Sequence, residues 1–288
     1  MRALLLASHS IPREKNPLAD ALHNVPPELT SNTPFSSLVN TYITYPKDNK
    51  TPEKAIVFLT DIFGIFPNSQ LLADEFAKAG YLTVIPDLFQ GDQINVADME
   101  SGKADLPSWL PKHQPANVDP VVEASVRYIR ETLGAKSVGA VGYCFGAKAY
   151  LTGYEYGFLM GHSQYVTRLL MTNKVDVGFA AHPSFITHEE LGAIQGPLSI
   201  AAAEIDSIFT TQLRHESENT LIKAGHPWQI NLFSGVAHGF AIRGDMNVRI
   251  QRWAKEQAFV QAVSWFNQHL RGEIFVVIHL GIHGSGHT

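Results

Sequence analysis

The sequence is poorest in cysteine, with a single residue, Cys144, among 288. That excludes a disulfide within the chain and argues against a structural zinc site built on several thiolates. Long apolar runs are missing as well. No stretch approaches the ~20 apolar residues of a membrane span. The apolar part of Arg2-Ala3-Leu4-Leu5-Leu6-Ala7 also falls short of the roughly 7–15 residues of a secretory signal. Basic clusters are absent too, because 22 basic residues against 27 acidic ones give a mild and dispersed charge of −5. These absences lead us to expect a soluble protein of the cytoplasm that acts on a small molecule, without nucleic-acid or membrane partners.

What is present is enough for a substantial core, since 45% of the residues are hydrophobic. Residues 1–36 carry Pro12, Pro17, Pro26, Pro27 and Pro34 with little periodicity and read as an irregular arm. The body of the chain, 37–272, alternates between two patterns. Thr41 to Tyr45 resembles an edge strand. Ala55–Leu59 is a continuous apolar run suited to a strand covered on both faces, and Tyr81–Ile85, Ser137–Val141, Val175–Ala181, Pro197–Ala203 and Trp228–Phe233 read as further strands. Helices are expected between them: one capped by Asn68 and running to Ala79, one opening at Asp119-Pro120 and closing at Gly134, and one over Thr210–Ala224. A last helix, Met246–Leu270, presents Ile250, Trp253, Phe259, Val263 and Phe266 as its apolar stripe. Residues 93–116, broken by Pro107, Pro111 and Pro115, read as a loop with short helical pieces. Strands alternating with helices imply an α/β fold: a mostly parallel central sheet with helices on both faces.

One stretch concentrates the chemistry. Gly142-Tyr143-Cys144-Phe145-Gly146 lies between a predicted strand and a predicted helix and has the Gly-x-Cys-x-Gly pattern of a nucleophile elbow, with sulfur in place of the usual hydroxyl. The glycines leave room for a strained turn and for close approach of strand and helix. A buried, inert cysteine is the plain alternative. In parallel sheets, catalytic groups sit on loops past the carboxyl ends of strands. Asp206 and His238 both follow apolar strands downstream of Cys144, in the order nucleophile, acid, histidine. A thiol needs a neighbouring base, and an imidazole needs a carboxylate to fix its tautomer. Taken singly, His238 is an ordinary loop histidine and Asp206 a helix cap; their joint placement predicts a triad. The backbone N–H groups of Phe145 and Ile62 are the expected oxyanion donors.

With these stretches in place, the chain resembles the dienelactone hydrolase family, the cysteine branch of the α/β-hydrolase fold. The matching motifs are Phe58-Leu59-Thr60-Asp61-Ile62-Phe63-Gly64, Val84-Ile85-Pro86-Asp87-Leu88-Phe89, the Cys144 elbow, and Ala237-His238-Gly239-Phe240, and the likeness runs from about residue 38 to 271. The resemblance implies hydrolysis of a small ester or lactone by a Cys144–His238–Asp206 triad through a thioester acyl-enzyme, with no cofactor or metal. It also implies that Asp61 is the acidic residue that modulates the resting thiol. Phe63, His182, Phe240 and Arg243 are possible pocket residues; a satisfied strand-end histidine and a surface salt bridge are the plainer readings of His182 and Arg243.

The chain departs from the family in three places. The bacterial enzymes grip the substrate carboxylate with arginines where this sequence has Gly91 and Ile242, so the resemblance carries the triad chemistry and not the dienelactone substrate. Residues 149–164 read as an insertion, so that either Tyr150-Leu151-Thr152 or Tyr165 to Leu170 could supply the helix after the elbow. Residues 273–288 read as a disordered tail, because Gly281, Gly284 and Gly286 interrupt any helix that would align His279, His283 and His287. The rival reading from another class is a non-catalytic binding or regulatory module on the same fold.

Overall fold

The computed structural model describes residues 22–24, 39–47, 52–144 and 163–270. In chain order the elements are β1 (Leu22–Asn24), β2 (Asn40–Thr44), β3 (Lys54–Leu59), α1 (Pro67–Lys78), β4 (Leu82–Pro86), α2 (Val96–Glu100), α3 (Leu106–Trp109), α4 (Pro115–Glu131) and β5 (Ser137–Tyr143). They continue with α5 (Ser163–Met171), β6 (Val177–Ala181), α6 (His188–Gly192), β7 (Leu198–Ile205), α7 (Thr211–Ala224), β8 (Trp228–Ala237), α8 (Phe240–Arg243) and α9 (Arg249–His269). The strands form one sheet in the order β1-β2-β4-β3-β5-β6-β7-β8. The pairs β1–β2 and β2–β4 are antiparallel, and every pair from β4 to β8 is parallel.

Side-chain alternation explains why both faces are covered. In β3, Ala55, Val57 and Leu59 point into the core roofed by α4, α5 and α7, while Ile56 and Phe58 point into the core roofed by α1 and α9. Glycines in β5 and β6 let helices sit close: a side chain at Gly139 would meet the Phe266 ring of α9, and one at Gly178 would meet Val166 and Leu170 of α5. Of the two segments that could supply the helix before β6, Tyr165 to Leu170 lies within α5, with Tyr165, Val166, Leu169 and Leu170 buried. Tyr150-Leu151-Thr152, Phe145, the rest of the insertion up to 162 and the tail 273–288 lie outside the described residues.

Several expected boundaries shift, each for a physical reason. The arm expected to be irregular contributes β1, which pairs with β2, so β2 is not the outermost strand. Helix α1 begins at Pro67, a residue preorganised for the first turn, and Ser69 Oγ accepts the Phe66 N–H at 2.9 Å; Asn68 does not cap it. Helix α4 begins at Pro115, ahead of Asp119-Pro120. Pro120 is tolerated inside it because the carbonyl left without a donor belongs to Ala116, which is exposed to water. On α9 the face against the sheet is built from Ala254, Ala258, Ala262, Trp265 and Phe266, whereas Ile250 and Trp253 are 41% and 50% exposed. Small residues win that face because the helix packs directly on the strands. Among the described residues, no helix is long and apolar enough to cross a membrane.

The close seat of α9 is testable. A Cβ at position 139 would stand 2.7 Å from Cε1 of Phe266, which is fully buried. Gly139→Ala is expected to lose about 1–3 kcal/mol in denaturant titration. Gly192→Ala, whose added Cβ would meet Thr220 at an ordinary 3.6 Å, is expected to lose none. Equal stability of the two variants would contradict the packing described.

Candidate active site

Strand register brings the candidate residues to one rim. Leu59 pairs with Gly142, Tyr143 with Ala181, Ala181 with Ala201, and Ile205 with Ala237. The next residues along these strands are Cys144, His182, Asp206 and His238, with Asp61 two beyond Leu59. All five therefore leave the sheet at the carboxyl ends of parallel strands. A register shift between Ala203 and Ile205 lets β7 and β8 run on together to the Asp206 and His238 positions.

Cys144 is turned out of β5 while still tied to the sheet. Its N–H donates to the Ala181 carbonyl at 3.3 Å, yet its φ is +32°, a left-handed conformation that costs a residue with a Cβ about 1–3 kcal/mol. The strand below is held by the Tyr143 ring stacked on Phe58 at 4.9 Å. Asp206 is fixed by its own loop, its Oδ1 accepting the N–H groups of Ile208 (2.8 Å) and Phe209 (3.0 Å). That leaves Oδ2 to accept Nδ1–H of His238 at 2.8 Å, and the His238 N–H continues the ladder onto the Ile205 carbonyl at 3.2 Å. Sγ of Cys144 and one ring nitrogen each of His182 and His238 lie within 4.8 Å of one another.

The local charges favour an ionised sulfur. Burial works against the Cys144 thiolate, but the imidazolium of His238 and the guanidinium of Arg243 outweigh it, against opposition from Asp61, and hold the thiol below its ordinary pKa. Burial likewise disfavours the charged His238, yet the adjacent sulfur and Asp206 push it up to about 10. The two groups ionise as a pair, sulfur negative and imidazole positive.

Asp61 and Arg243 correct one expectation. Asp61 is fully buried, its Oδ1 accepts the Phe63 N–H at 3.1 Å, and its Oδ2 is ion-paired with Nη1 of Arg243. Arg243 therefore does not form a surface salt bridge; its partner lies inside the site. The path to it is local. Gly239, at φ +93°, starts α8, and the Arg243 N–H returns to the Gly239 carbonyl at 2.8 Å. Any side chain at 239 would collide with the guanidinium, which lies 5.1 Å from the centre of the Phe63 ring. Burial raises the Asp61 carboxyl above its ordinary range, opposed by Arg243, the Phe63 amide and His238.

The remaining candidates lie against the same groups. His182, at φ +38° and fully buried, donates its N–H to the Ala201 carbonyl at 2.7 Å. Its ring meets His238 and Phe240 edge to face at 5.1 and 5.6 Å. Neither ring nitrogen has a hydrogen-bond partner among the described residues, so it is not the satisfied strand-end histidine of the plainer reading. Burial first, then the positive charges of His238 and Arg243, keep it neutral well below the usual histidine value. Ile62 is buried, and its amide makes no hydrogen bond among the described residues, while its carbonyl accepts the Ile94 N–H at 2.9 Å. Sequence reasoning missed the clamp on α8, where the Ile242 carbonyl accepts from both Asn68 Nδ2 and Lys255 Nζ at 3.0 Å. A signal existed: Lys255 sits beside Ala254 on the small-residue face of α9, where a solvated lysine has no place, and burial lowers it to about 8.

Comparison with known proteins gives the chain's family and fold. The sequence pattern of the dienelactone hydrolase family matches residues 39–270. The chain is 48% identical over 231 residues to hydrolase pyvD of Aspergillus violaceofuscus, spanning 80% of this chain and 86% of that one. It is 44% identical over 240 residues to hydrolase tropI of Talaromyces stipitatus, spanning 81% and 88%. Among solved structures, the dienelactone hydrolase of Anabaena variabilis superposes with a TM-score of 0.57 over 86% of this chain and 98% of that one; at 12% identity the likeness concerns the fold.

The lowered thiol pKa makes a measurable claim. Since the thiolate is the reactive form, iodoacetamide should label Cys144 with a midpoint below ~8.5, the ordinary thiol value. His238→Gln should move the labelling midpoint upward, because the larger of the two opposing positive charges is gone. One cysteine in the chain makes the mass shift unambiguous. An ordinary midpoint in the unmodified protein would rule out the ion pair.

Proposed function

The chain belongs to the dienelactone hydrolase family and is a carboxylic-ester or lactone hydrolase, and from that premise we propose that Cys144 is its nucleophile, His238 its base and Asp206 the residue that orients the base. The observation that carries this reading is the 2.8 Å hydrogen bond from His238 Nδ1 to Asp206, which leaves Nε2 as the ring nitrogen available toward the sulfur. Sγ attacks the acyl carbon, and the carbonyl π electrons move to oxygen. The Ile62 and Phe145 amides receive that oxyanion. Collapse of the tetrahedral species expels the alkoxide, which takes the proton from Nε2 of His238. The product of this half is a thioester on Cys144. His238, now neutral, removes a proton from water; the hydroxide adds to the thioester, the thiolate leaves, and the acid departs.

Asp61 modulates the resting thiol. Its negative charge raises the Cys144 pKa and Arg243 lowers it, so their ion pair tempers the field at sulfur. The substrate is a small ester or lactone that need not carry a carboxylate. Gly91 offers no side chain at one of the family's arginine positions, Ile242 is buried at the other, and Arg243 is engaged by Asp61. Phe63, beside the Arg243 guanidinium, and Phe240, beside the His182 ring, are apolar neighbours of these groups and suit an apolar acyl group.

Turnover of small activated esters and lactones tests the assignment. Cys144→Ala is expected to lower kcat by roughly 10³-fold or more. Asp206→Asn is expected to lower it by about 10²–10⁴-fold with little change in KM, because an amide can stabilise the wrong imidazole tautomer. Undiminished turnover by Cys144→Ala would sink the nucleophile assignment. An unmodified protein without turnover on any such substrate would favour the non-catalytic module instead.

A further inference from the structure

The mechanism uses one imidazole at the rim and leaves a second idle. His182 is fully buried, and both of its ring nitrogens lack a hydrogen-bond partner among the described residues. Leaving a buried polar group unpaired costs about 1–3 kcal/mol, so a ligand that accepts electron density from His182 relieves a standing penalty. The Nε2 of His238, on the far side of the ring from Asp206, is likewise buried and is turned toward the Cys144 sulfur. These two histidines and Cys144 each present a donor atom within 4.8 Å of the others.

We propose that Cys144, His182 and His238 form a binding site for a zinc-type divalent cation, and that the bound ion reversibly silences the hydrolase. The donor set is one sulfur and two imidazole nitrogens. It selects Zn²⁺ over Mg²⁺ or Ca²⁺, which require oxygen ligands. Zn–S and Zn–N bonds of about 2.3 and 2.0–2.1 Å put neighbouring tetrahedral ligands about 3.3–3.8 Å apart. The donors, now within 4.8 Å of one another, need draw in by only about 1 Å, which side-chain rotation supplies. Water fills the fourth position.

Two further features suit a cation. Asp206 holds the Nδ1 of His238, the carboxylate–histidine arrangement that orients and strengthens a metal-bound imidazole. With both imidazoles neutral, the Cys144 thiolate, Asp206 and Asp61 set three negative charges against the single positive charge of Arg243, and a dication offsets the excess. Coordination replaces the proton shared by the sulfur and His238, so one proton passes to solvent per ion bound and no redox change occurs. Bound sulfur cannot attack a carbonyl, and bound Nε2 cannot move a proton. The silencing rests on the hydrolase mechanism above; the binding does not.

The test uses the full chain after chelator treatment. Zn²⁺ affinity is read by competition with a chromophoric chelator, and Co²⁺ is added as a spectroscopic substitute. We expect one Co²⁺ per chain to give sulfur-to-metal charge-transfer absorption, and Cys144→Ala to abolish it. We expect His182→Phe and His182→Asn, each checked for folding by circular dichroism, to weaken Zn²⁺ by roughly 10–100-fold or more. Esterase activity of the unmodified protein should fall in step with occupancy and return when EDTA is added. His279, His283 and His287 could bind metal elsewhere in the chain, but without sulfur they give no charge-transfer band. Binding that is unchanged by Cys144→Ala or by both His182 substitutions overturns the site. Full activity at full occupancy overturns the silencing. A protein without turnover that still shows the band and its loss in the variants upholds the site while refuting the hydrolase mechanism.

Discussion

The hydrogen bond between His238 and Asp206 joins the ends of β7 and β8, and the rest of the site depends on the register that permits it. Parallel pairing places Ile205 opposite Ala237, so the next residue on each strand is a carboxylate and an imidazole at bonding distance. The same sheet sets Tyr143 opposite Ala181, which puts Cys144 and His182 side by side. A slip of one residue in either pair would turn one of these groups into the core and the other toward solvent. The faces of β5 and β6, and those of β7 as far as Ala203, are buried on both sides and hold that register.

Electrostatics then decides what the sulfur can do. Burial alone would keep Cys144 protonated, and two positive groups on neighbouring loops reverse the outcome. They are not equivalent. His238 is mobile in charge, able to accept and release a proton, whereas the guanidinium of Arg243 is permanently charged and held by Asp61. In the proposed mechanism one positive group works as a participant and the other as a fixed background. His182 is kept neutral by burial first and then by the same neighbours, and so adds donor atoms without adding charge.

Much of this was legible along the chain, for reasons tied to particular residues. The central parallel strands announce themselves as apolar runs, since a strand covered on both faces has no polar phase; β8, at the end of the sheet and only partly buried, alternates Gln229 and Asn231 with apolar residues. Cys144, Asp206 and His238 could be picked out because each lies in the loop that follows a predicted strand. The Arg243–Asp61 pair could not, because it depends on the path of α8 after Gly239, which no pattern of hydrophobicity encodes. The α9 stripe misled through size: Trp253 and Ile250 look like core residues, yet the helix lies too close to the sheet for them, and alanines take the inner face. His182 was ambiguous because satisfaction of an imidazole is a property of its surroundings, not of its position. The segment after Cys144, including Phe145, lies outside the described residues, so that oxyanion donor is carried by the motif alone.

The carbonyl of Ile242 receives two donors from different helices, Asn68 on α1 and Lys255 on α9. The segment bearing His238, Phe240 and Arg243 is thereby moored downstream, just as the bond from the His238 amide to Ile205 moors it upstream. A loop pinned at both ends has already spent its ordering entropy during folding. Substrate therefore meets an imidazole and a guanidinium whose places are set beforehand, and little of its binding energy is diverted to arranging them.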